Sequence, residues 1–414
     1  MYVSQLELMC GVSSALDLIS TAVTGHHKRV AYLACSAGRL MGLSVHDRTR
    51  LFMAGLLHDV GGLTLQSRLD ALQFEVDNVE HAETGYRLLK TFPYLDPIAE
   101  IVRYHHTPWK KKDAFDTDAQ TMFLSNLLNA ADRADVLMKD ADITMACTQV
   151  QRIEQHKGTI FEATIAEAIT QTAQDNFCDV LEFIRQKDIS LERFGELEDP
   201  HLHLEDLRGF SRFISHIIDF RSRFTATHSR GVAAVAQELA GRFDFSHHDI
   251  KLMGVAGNLH DLGKLGIPTY ILDKPGKLTR EEYDIIRLHP RFCDEVLSRV
   301  RGMEVINEWG SSHHERMDGT GYHKGRNGKE LSLGARIMAV ADVFTAVTEN
   351  RPYRRGMLKA NALSVLRGMS KARKLDAEVV FCLENAYDDI DSVRAATQQT
   401  ALDAFKDFFR ADKS

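Results

Sequence analysis

The sequence predicts an all-α protein made of two helical domains in tandem. The chain of 414 residues exceeds the size at which a single hydrophobic core usually stops growing, which indicates more than one domain. Apolar residues recur at helical spacing, as at Leu252, Val255 and Leu259, whereas the alternation typical of strands is scarce. The chain also repeats itself, since segment 25–62 aligns without a gap with segment 227–264. We therefore expect two copies of one helical fold.

The boundary between the two domains is predicted near residue 200. Segment 186–205 is polar, contains a proline and has weak periodicity, which is typical of a linker. The first domain is then 1–200 and the second is 201–414. Segment 359–414 reads as amphipathic helices that cap the second domain.

The composition predicts a cytoplasmic globular protein with no membrane association. Hydrophobic residues make up 44% of the chain and charged residues 26%, which is ordinary for a packed domain. The formal net charge of −7 argues against duplex nucleic acid as a partner, although a small anionic ligand could bind at a local basic patch. The N-terminus lacks the pattern of a signal peptide, and no window approaches the roughly 18 consecutive apolar residues of a membrane span. The six cysteines are scattered, without a disulfide framework.

The 19 histidines are grouped, and each half of the chain carries the same ordered set of potential metal ligands. A first histidine is followed by a His-Asp pair, a lone histidine, a His-His pair 24 positions later, and an aspartate. The C-terminal set is His228, His260, Asp261, His289, His313, His314 and Asp342. The N-terminal set is His26, His58, Asp59, His81, His105, His106 and Asp132.

The C-terminal set predicts a centre of two metal ions. Imidazoles and carboxylates suit Zn, Fe, Mn and Ni, and seven ligands exceed the roughly four that one ion takes from protein. Asp261 has ligands on both sides in sequence and is the natural bridge between two ions. A two-metal clamp fits hydrolysis of a phosphate ester, and Lys264, one helical turn after Asp261, could meet a phosphate oxygen. Single histidines are more often hydrogen-bonded core residues, but the recurrence of the ordered set favours metal binding.

The motifs of the second half resemble the HD-GYP domain, a branch of the HD metal-dependent phosphohydrolase superfamily. The resemblance runs from Arg221 to Ala386 and rests on GNLHDLGKLGIP, a following HP, HHERMDGTGYHKG and ARIMAVADVFTAVTENRPYRRGM. It implies a helical domain whose two or three divalent ions are mostly Fe or Mn, with Mg, Ni or Zn as alternatives. It also implies cleavage of cyclic di-GMP or 3',3'-cGAMP to a linear dinucleotide. The seven C-terminal residues would be the ligands, with Asp261 and Lys264 catalytic.

The same resemblance implies which residues contact the substrate. The glycine-rich loop 318–322 and the basic run 351–355 match segments that border the pocket in similar proteins, where glycines allow close approach, tyrosine stacks on a base and arginine binds phosphate. The alternative is a surface turn and a solvated charge cluster. The substrate-contacting residues implied are Lys264, Asp318, Gly319, Tyr322, Arg351 and Arg354.

The chain departs from the HD-GYP pattern at several positions. His323 replaces the proline of the signature, which predicts a less rigid loop and leaves the choice of substrate open. Phe224 stands where relatives with a third metal carry glutamate, so a dinuclear centre is expected. The N-terminal half resembles a degenerate HD domain, because Gly62 occupies the position of Lys264 and no glycine-rich loop follows His106. We interpret that half as regulatory or structural.

These observations predict a metal-dependent phosphodiesterase that hydrolyses a cyclic dinucleotide. Two alternatives stay open: a catalytically inactive sensor that binds the dinucleotide and acts through a partner, and an HD hydrolase of ordinary nucleotides. The expected partner is the small-molecule substrate, with a homodimer or a signalling protein as further candidates. The preferred dinucleotide, the native metal and the number of cleavage steps are not determined by the sequence.

Overall fold

The computed structural model describes residues 2–17, 24–62, 80–138, 143–175, 191–220, 227–274, 276–350 and 355–410. Most of these residues are helical, which confirms the all-α prediction. Two strands of two residues each, Val3–Ser4 and His201–Leu202, form a two-stranded sheet. The chain divides into two units, one of Ser4–Pro200 and one of His201–Ser414 together with Met1–Val3. Within the described part of the chain, no helix is long and apolar enough to cross a membrane.

The described part of the first unit consists mainly of helices. Its α-helices are α1 (Gln5–Asp17), α2 (His26–Leu40), α3 (Val45–Leu57), α4 (Glu80–Leu89), α5 (Asp96–Arg103), α6 (Ala119–Met138), α7 (Ile143–Val150), α8 (Arg152–Gln155) and α9 (Ala163–Asp175). Short 3₁₀ helices span Pro93–Leu95, Trp109–Ala114 and Leu191–Phe194.

The second unit follows the same plan. Its α-helices are α10 (Leu204–Phe220), α11 (His228–Arg242), α12 (His247–Leu259), α13 (Thr269–Leu272), α14 (Arg280–Ile286), α15 (His289–Leu297), α16 (Glu304–Ser311), α17 (Leu333–Thr348), α18 (Lys359–Lys371), α19 (Ala377–Asn385) and α20 (Tyr387–Arg410). A 3₁₀ helix spans Leu262–Gly266.

The helix that ends in the His-Asp pair begins in the same way in both units. Ser44 caps α3 by accepting a hydrogen bond from the backbone N–H of Asp47, and Ser246 caps α12 through Asp249 in the same geometry. Such a cap satisfies a backbone donor that the helix leaves without a partner. The apolar positions predicted for α12 are buried, and α12 packs on α11 as α3 packs on α2. The shared sequence pattern therefore produces the same local structure twice.

A glycine after each His-Asp pair lets two segments approach closely. A Cβ atom at Gly263 would lie 1.9 Å from the carbonyl oxygen of His289, and one at Gly61 would lie 2.1 Å from that of His81. Only a residue without a side chain fits at such distances. This contact fixes the lone histidine of each unit against the turn that carries the His-Asp pair.

Candidate metal centre

Five separate segments of the second unit bring the seven predicted ligands into one buried cluster. Three of these segments are the start of α11, the turn after α12 and the start of α15, and the others are the turn after α16 and the middle of α17. All seven side chains are largely buried. His314 is the most exposed of the seven, with 29% of its side-chain surface accessible to solvent. The set comprises His228, His260, Asp261, His289, His313, His314 and Asp342.

Asp261 lies at the middle of this cluster. Its Oδ2 atom is 3.3 Å from Nε2 of His260 and 4.0 Å from Nε2 of His228. Its Oδ1 atom is 3.4 Å from Nε2 of His289 and 3.9 Å from Nε2 of His313. Because its two oxygens face different histidines, this carboxylate has the arrangement expected of a bridge between two ions.

The ligand atoms separate into two groups, each compact enough for one metal ion. Within each group the donor atoms lie within 4.8 Å of one another. Asp342 adds a second carboxylate, with Oδ1 3.2 Å from Nε2 of His228 and Oδ2 3.9 Å from Nδ1 of His314. One group is His228, His260 and Asp261, and the other is His289, His313 and His314.

The backbone fixes the orientation of three imidazole rings. The Nδ1–H groups of His260, His289 and His313 each donate to a carbonyl oxygen three residues earlier, at 2.6 to 2.7 Å. The Nε2 atom of each ring is thereby directed at the cluster. Hydrogen bonds of this kind set the tautomer of metal-ligating histidines in proteins.

The residues present fit divalent metal ions. Among the described residues, Nε2 of His260 and Oδ1 of Asp261 are buried and have no hydrogen-bond partner, an arrangement that is unfavourable unless a ligand completes it. Burial lowers the pKa of His289 to about 3 and of His314 to about 4, so both rings are neutral. Neutral imidazole is the form that binds metals, and imidazole with carboxylate suits Fe, Mn and Zn.

His228 differs from the other histidines because two carboxylates flank it. Its Nδ1 atom lies 3.1 Å from Oε2 of Glu349, and its Nε2 atom is close to Asp342. Although burial lowers the pKa of His228, these two carboxylates raise it to about 10. Glu349, which lies just beyond the end of α17, falls within the quoted segment ARIMAVADVFTAVTENRPYRRGM but was not among the predicted site residues.

Lys264 lies at the edge of the cluster, as the spacing predicted. Its Nζ atom is 2.5 Å from Oδ2 of Asp261, and 20% of its side chain is exposed. Burial raises the pKa of Asp261, but His260 and Lys264 outweigh this effect and hold the pKa well below its usual range. The cluster therefore carries an ionised carboxylate with a cation at its solvent-facing side.

The glycine-rich loop brings one predicted substrate residue to the cluster. The ring of Tyr322 lies over His314 with centroids 4.6 Å apart, and its N–H donates to the carbonyl of His314. The guanidinium of Arg287, absent from the predicted site, lies 4.9 Å from the centroid of Tyr322. Asp318 is exposed and accepts hydrogen bonds from Thr320 within its own turn, so its described contacts are local.

The loop is held in place without the signature proline. His323 has a φ of +111°, and its Nε2 atom lies 3.1 Å from Oδ2 of Asp294. Buried Glu315 accepts hydrogen bonds from the backbone N–H groups of residues 324, 325 and 326. These two carboxylates restrain the loop from outside the signature triplet, and the expectation of a less rigid loop stays a prediction.

Three residues discussed from the sequence lie outside the described residues. They are Arg351 and Arg354, predicted to contact the substrate, and Phe224, which bears on a third metal. Gly319 lies in the described loop with a φ of +77°, a conformation that favours glycine.

The first unit contains a similar cluster. His58 and His81 approach the two oxygens of Asp59 at 3.4 and 3.2 Å, and Nε2 of His26 lies 3.4 Å from Asp132. Asp135 accepts from Nδ1 of His26, as Glu349 does for His228. Although burial lowers the pKa of His26, Asp132 and Asp135 raise it to about 10.

The two clusters differ in where their cations lie. In the first unit Gly62, which has no side chain, stands at the position that aligns with Lys264. Instead the guanidinium of buried Arg133 pairs with Asp132 at 2.6 Å. A further histidine, His27, has its Nε2 atom 3.9 Å from Asp59. The first cluster thus resembles the second in its ligands but not in the charge that surrounds them.

Both halves of the chain match the family described as the HD domain, over residues 23–146 and 212–379. The chain is 31% identical over 388 residues to 3'3'-cGAMP-specific phosphodiesterase 1 of Vibrio cholerae. The alignment covers 89% of this chain and 88% of that protein. It is 35% identical over 187 residues to the cyclic di-GMP phosphodiesterase response regulator RpfG of Xanthomonas campestris, covering 45% of this chain and 49% of that one.

The fold also matches a solved structure over nearly its whole length. A crystal structure of a cyclic GMP-AMP specific phosphodiesterase of V. cholerae, V-cGAP3, aligns with a TM-score of 0.65 at 21% identity. The alignment covers 97% of this chain and 98% of that one. The two family matches agree with the relative that aligns along most of both chains and with the shared fold. This chain therefore belongs to the HD-domain family, with two HD domains in tandem and the second of HD-GYP type.

Proposed function

We propose that this chain is a metal-dependent phosphodiesterase that opens a cyclic dinucleotide, 3',3'-cGAMP or cyclic di-GMP, to its linear form. The observation that carries the proposal is the cluster of Asp261 and six further residues of metal-ligand type, with the ammonium of Lys264 at its edge. Relatives named for action on 3'3'-cGAMP and on cyclic di-GMP support this substrate class. Catalysis is assigned to the second domain, residues 201–414.

We propose that the two ligand groups hold two divalent ions, Fe or Mn by the chemistry of their donors. When bound, such ions supply charge that stabilises the transition state of phosphodiester hydrolysis and lower the pKa of water. The chain's own part is to keep the rings of His260, His289 and His313 in one orientation. Asp261 and Asp342 stay ionised there and balance the positive charge of the ions.

Lys264 is assigned to the substrate phosphate. Its ammonium is anchored by Asp261 at 2.5 Å and remains partly exposed, so it can reach a non-bridging oxygen of the scissile phosphate. Charge that is already oriented stabilises the transition state without reorganisation. No side-chain nucleophile is needed in this scheme.

Tyr322 and Arg287 are assigned to a base of the substrate. The Tyr322 ring contacts the imidazole of His314, and the guanidinium of Arg287 lies 4.9 Å from the Tyr322 centroid. The same guanidinium lies 5.9 Å from the ring centroid of Tyr283, which is 46% exposed. Aromatic rings and guanidinium planes are the groups on which unpaired bases stack, at about 1–3 kcal/mol per base. Arg351, Arg354, Asp318 and Gly319 remain assigned to the same pocket by resemblance alone.

We propose a regulatory or structural role for the first domain, residues 1–200. It keeps the ligand types, but Gly62 leaves it without the cation that Lys264 provides. Arg133, which pairs with Asp132, is buried and therefore less available to a substrate phosphate.

The test is a product assay on the full chain loaded with Mn or Fe. We expect linear dinucleotide from cyclic di-GMP or 3',3'-cGAMP, and little turnover of a panel of mononucleotides. Asp261→Ala should lower the rate by at least about 100-fold, because loss of even an outer-shell partner costs about 10–100-fold. The matched variant Asp59→Ala should retain the reaction. Tight binding without linear product would identify a sensor, and preferential turnover of mononucleotides would identify an ordinary HD hydrolase.

A further inference from the structure

The second domain contains a cavity that the proposed reaction does not use. It has a volume of about 590 Å³ and lies between α10, α11, α12 and α20. The described residues that line it include none of the seven metal-cluster residues. Small-molecule sites in proteins commonly measure about 300–1,000 Å³, so the cavity is large enough for a ligand.

Four arginines line this cavity, and two of them are paired with carboxylates. Arg208 pairs with Glu205 at 2.5 Å, and Arg242 pairs with Glu238 at 2.6 Å. Within the described part of the chain, Arg212 and Arg230 form no ion pair. Arg230 is only partly exposed, and its burial together with the neighbouring Arg212 lowers its pKa, although the carboxyl group of Asp219 partly opposes this effect.

A hydrogen-bond acceptor without a partner among the described residues also lines this cavity. Asn258 lines the cavity with 6% of its surface exposed, and its Oδ1 atom has no hydrogen-bond partner among the described residues. Its amide nitrogen donates to Ser211, which fixes the side chain. Arg230 is a partly buried cation beside a second arginine, which an anionic ligand would compensate, whereas the unpaired Oδ1 atom of Asn258 would be satisfied by a donor group on the same ligand.

The first domain indicates that the fold does not require this cavity. At the aligned positions of Ala234, Gln237, Gly254 and Asn258 it carries Tyr32, Cys35, Phe52 and Leu56, all buried. Phe194 packs on Tyr32 and on Phe52, with centroids 6.0 and 4.5 Å apart. The same helical face is thus a filled apolar core in one copy and an arginine-lined cavity in the other.

We infer that this cavity is a second ligand site, which binds a phosphomonoester such as the 5'-phosphate of a nucleotide. A phosphomonoester carries about −1.5 to −2 charges at neutral pH, which matches the two uncompensated guanidiniums of Arg212 and Arg230. The planar guanidinium binds phosphate through two parallel hydrogen bonds. Gln237 and Asn258 supply amide groups for the remainder of the ligand. This site does not depend on the phosphodiesterase activity proposed above.

The test is calorimetric titration of the full chain with inorganic phosphate, 5'-AMP and 5'-GMP. Prior treatment with a chelator prevents phosphate from binding at the metal cluster. We expect one site per chain, with affinity lowered about tenfold or more in Arg212→Gln and Arg230→Gln, because each removes a charge-assisted hydrogen bond. Arg367→Gln is the matched control, since Arg367 is an exposed arginine that pairs with Glu384 elsewhere in the domain.

The relative affinities show which part of the ligand the cavity recognises. Equal affinity for phosphate and both nucleotides would mean that the cavity recognises the phosphate group alone. Tighter binding of a nucleotide would mean that the cavity recognises the whole molecule. Arg212 is exposed, so Arg212→Gln decides the question even if Arg230→Gln does not fold. Wild-type affinity in Arg212→Gln, or no binding of any of the three probes, would overturn the inference. Binding of an acidic peptide, without binding of phosphate or the nucleotides, would also overturn the inference.

Discussion

The Nδ1 atom of His228 lies 3.1 Å from Oε2 of Glu349, so a carboxylate outside the predicted ligand set orients the first histidine of the cluster. Gln398 approaches the same Oε2 atom at 3.2 Å, which fixes the carboxylate in turn. The first domain makes the equivalent contact between His26 and Asp135. Both copies thus hold their first histidine with a carboxylate.

Glu349→Gln should weaken metal binding in the second domain by about 10–100-fold, because the neutral amide no longer balances the charge at His228. Metal titration of the variant and of Glu384→Gln, a surface carboxylate, provides the measurement and its control. Wild-type metal content and turnover in Glu349→Gln would contradict the orienting role.

Metal binding should release protons and strengthen as the pH rises. With a pKa of about 10, His228 is protonated at neutral pH, and so is His26 in the first domain. A ligating nitrogen must be deprotonated, so below pH 10 the apparent affinity should rise about tenfold per pH unit for each proton released. Calorimetry in buffers of different ionisation enthalpy counts these protons. An affinity that does not change between pH 7 and pH 9 would contradict the prediction.

Lys264→Ala should retain its metal and lose about 100-fold in kcat. The substitution removes charge stabilisation of the transition state and leaves the ligands of the cluster intact. Lys251→Ala, which removes an exposed lysine from α12, should behave as wild type. If metal content fell together with the rate, Lys264 would act by holding Asp261 instead.

His323→Pro should disturb the substrate loop, although the HD-GYP signature has proline at this position. Proline fixes φ near −65°, whereas His323 has a φ of +111°. We expect a raised KM and a free energy of unfolding lowered by about 1–3 kcal/mol. His323→Gly adopts the observed φ without strain, so its KM should stay closer to wild type. Equal KM values in the two variants would show that the backbone conformation is unimportant.

Gly263→Ala should destabilise the second domain by about 1–3 kcal/mol, as overpacking of a core does, and should weaken metal binding. The added Cβ atom would lie 1.9 Å from the carbonyl oxygen of His289, so a ligand segment must move. Gly368→Ala is the control, since nothing lies within 4 Å of its Cβ position in α18. It should stabilise the protein by about 0.5–1 kcal/mol. Chemical denaturation measures both changes.

The sequence predicted the helical class, the duplication and the cluster because these depend on periodicity and on an ordered motif. The seven residues come together as expected, although their role as ligands stays a prediction. Glu349 and Glu315 lie within the quoted motifs but were missed, as was Arg287 outside them, because their roles depend on tertiary contacts that the spacing of residues does not show. The arginine-lined cavity was missed for a similar reason, since its residues are distributed from Arg208 to Thr397.

The tethered rings of His260, His289 and His313 also bear on which ions the centre tolerates. A ring held through Nδ1 cannot follow an ion of larger or smaller radius, whereas a carboxylate can rotate and offer one oxygen or two. Adjustment to Mn, Fe or Ni would therefore take place at Asp261 and Asp342. Spectra of the protein loaded with different metals should then share their imidazole signals and differ in the carboxylate modes.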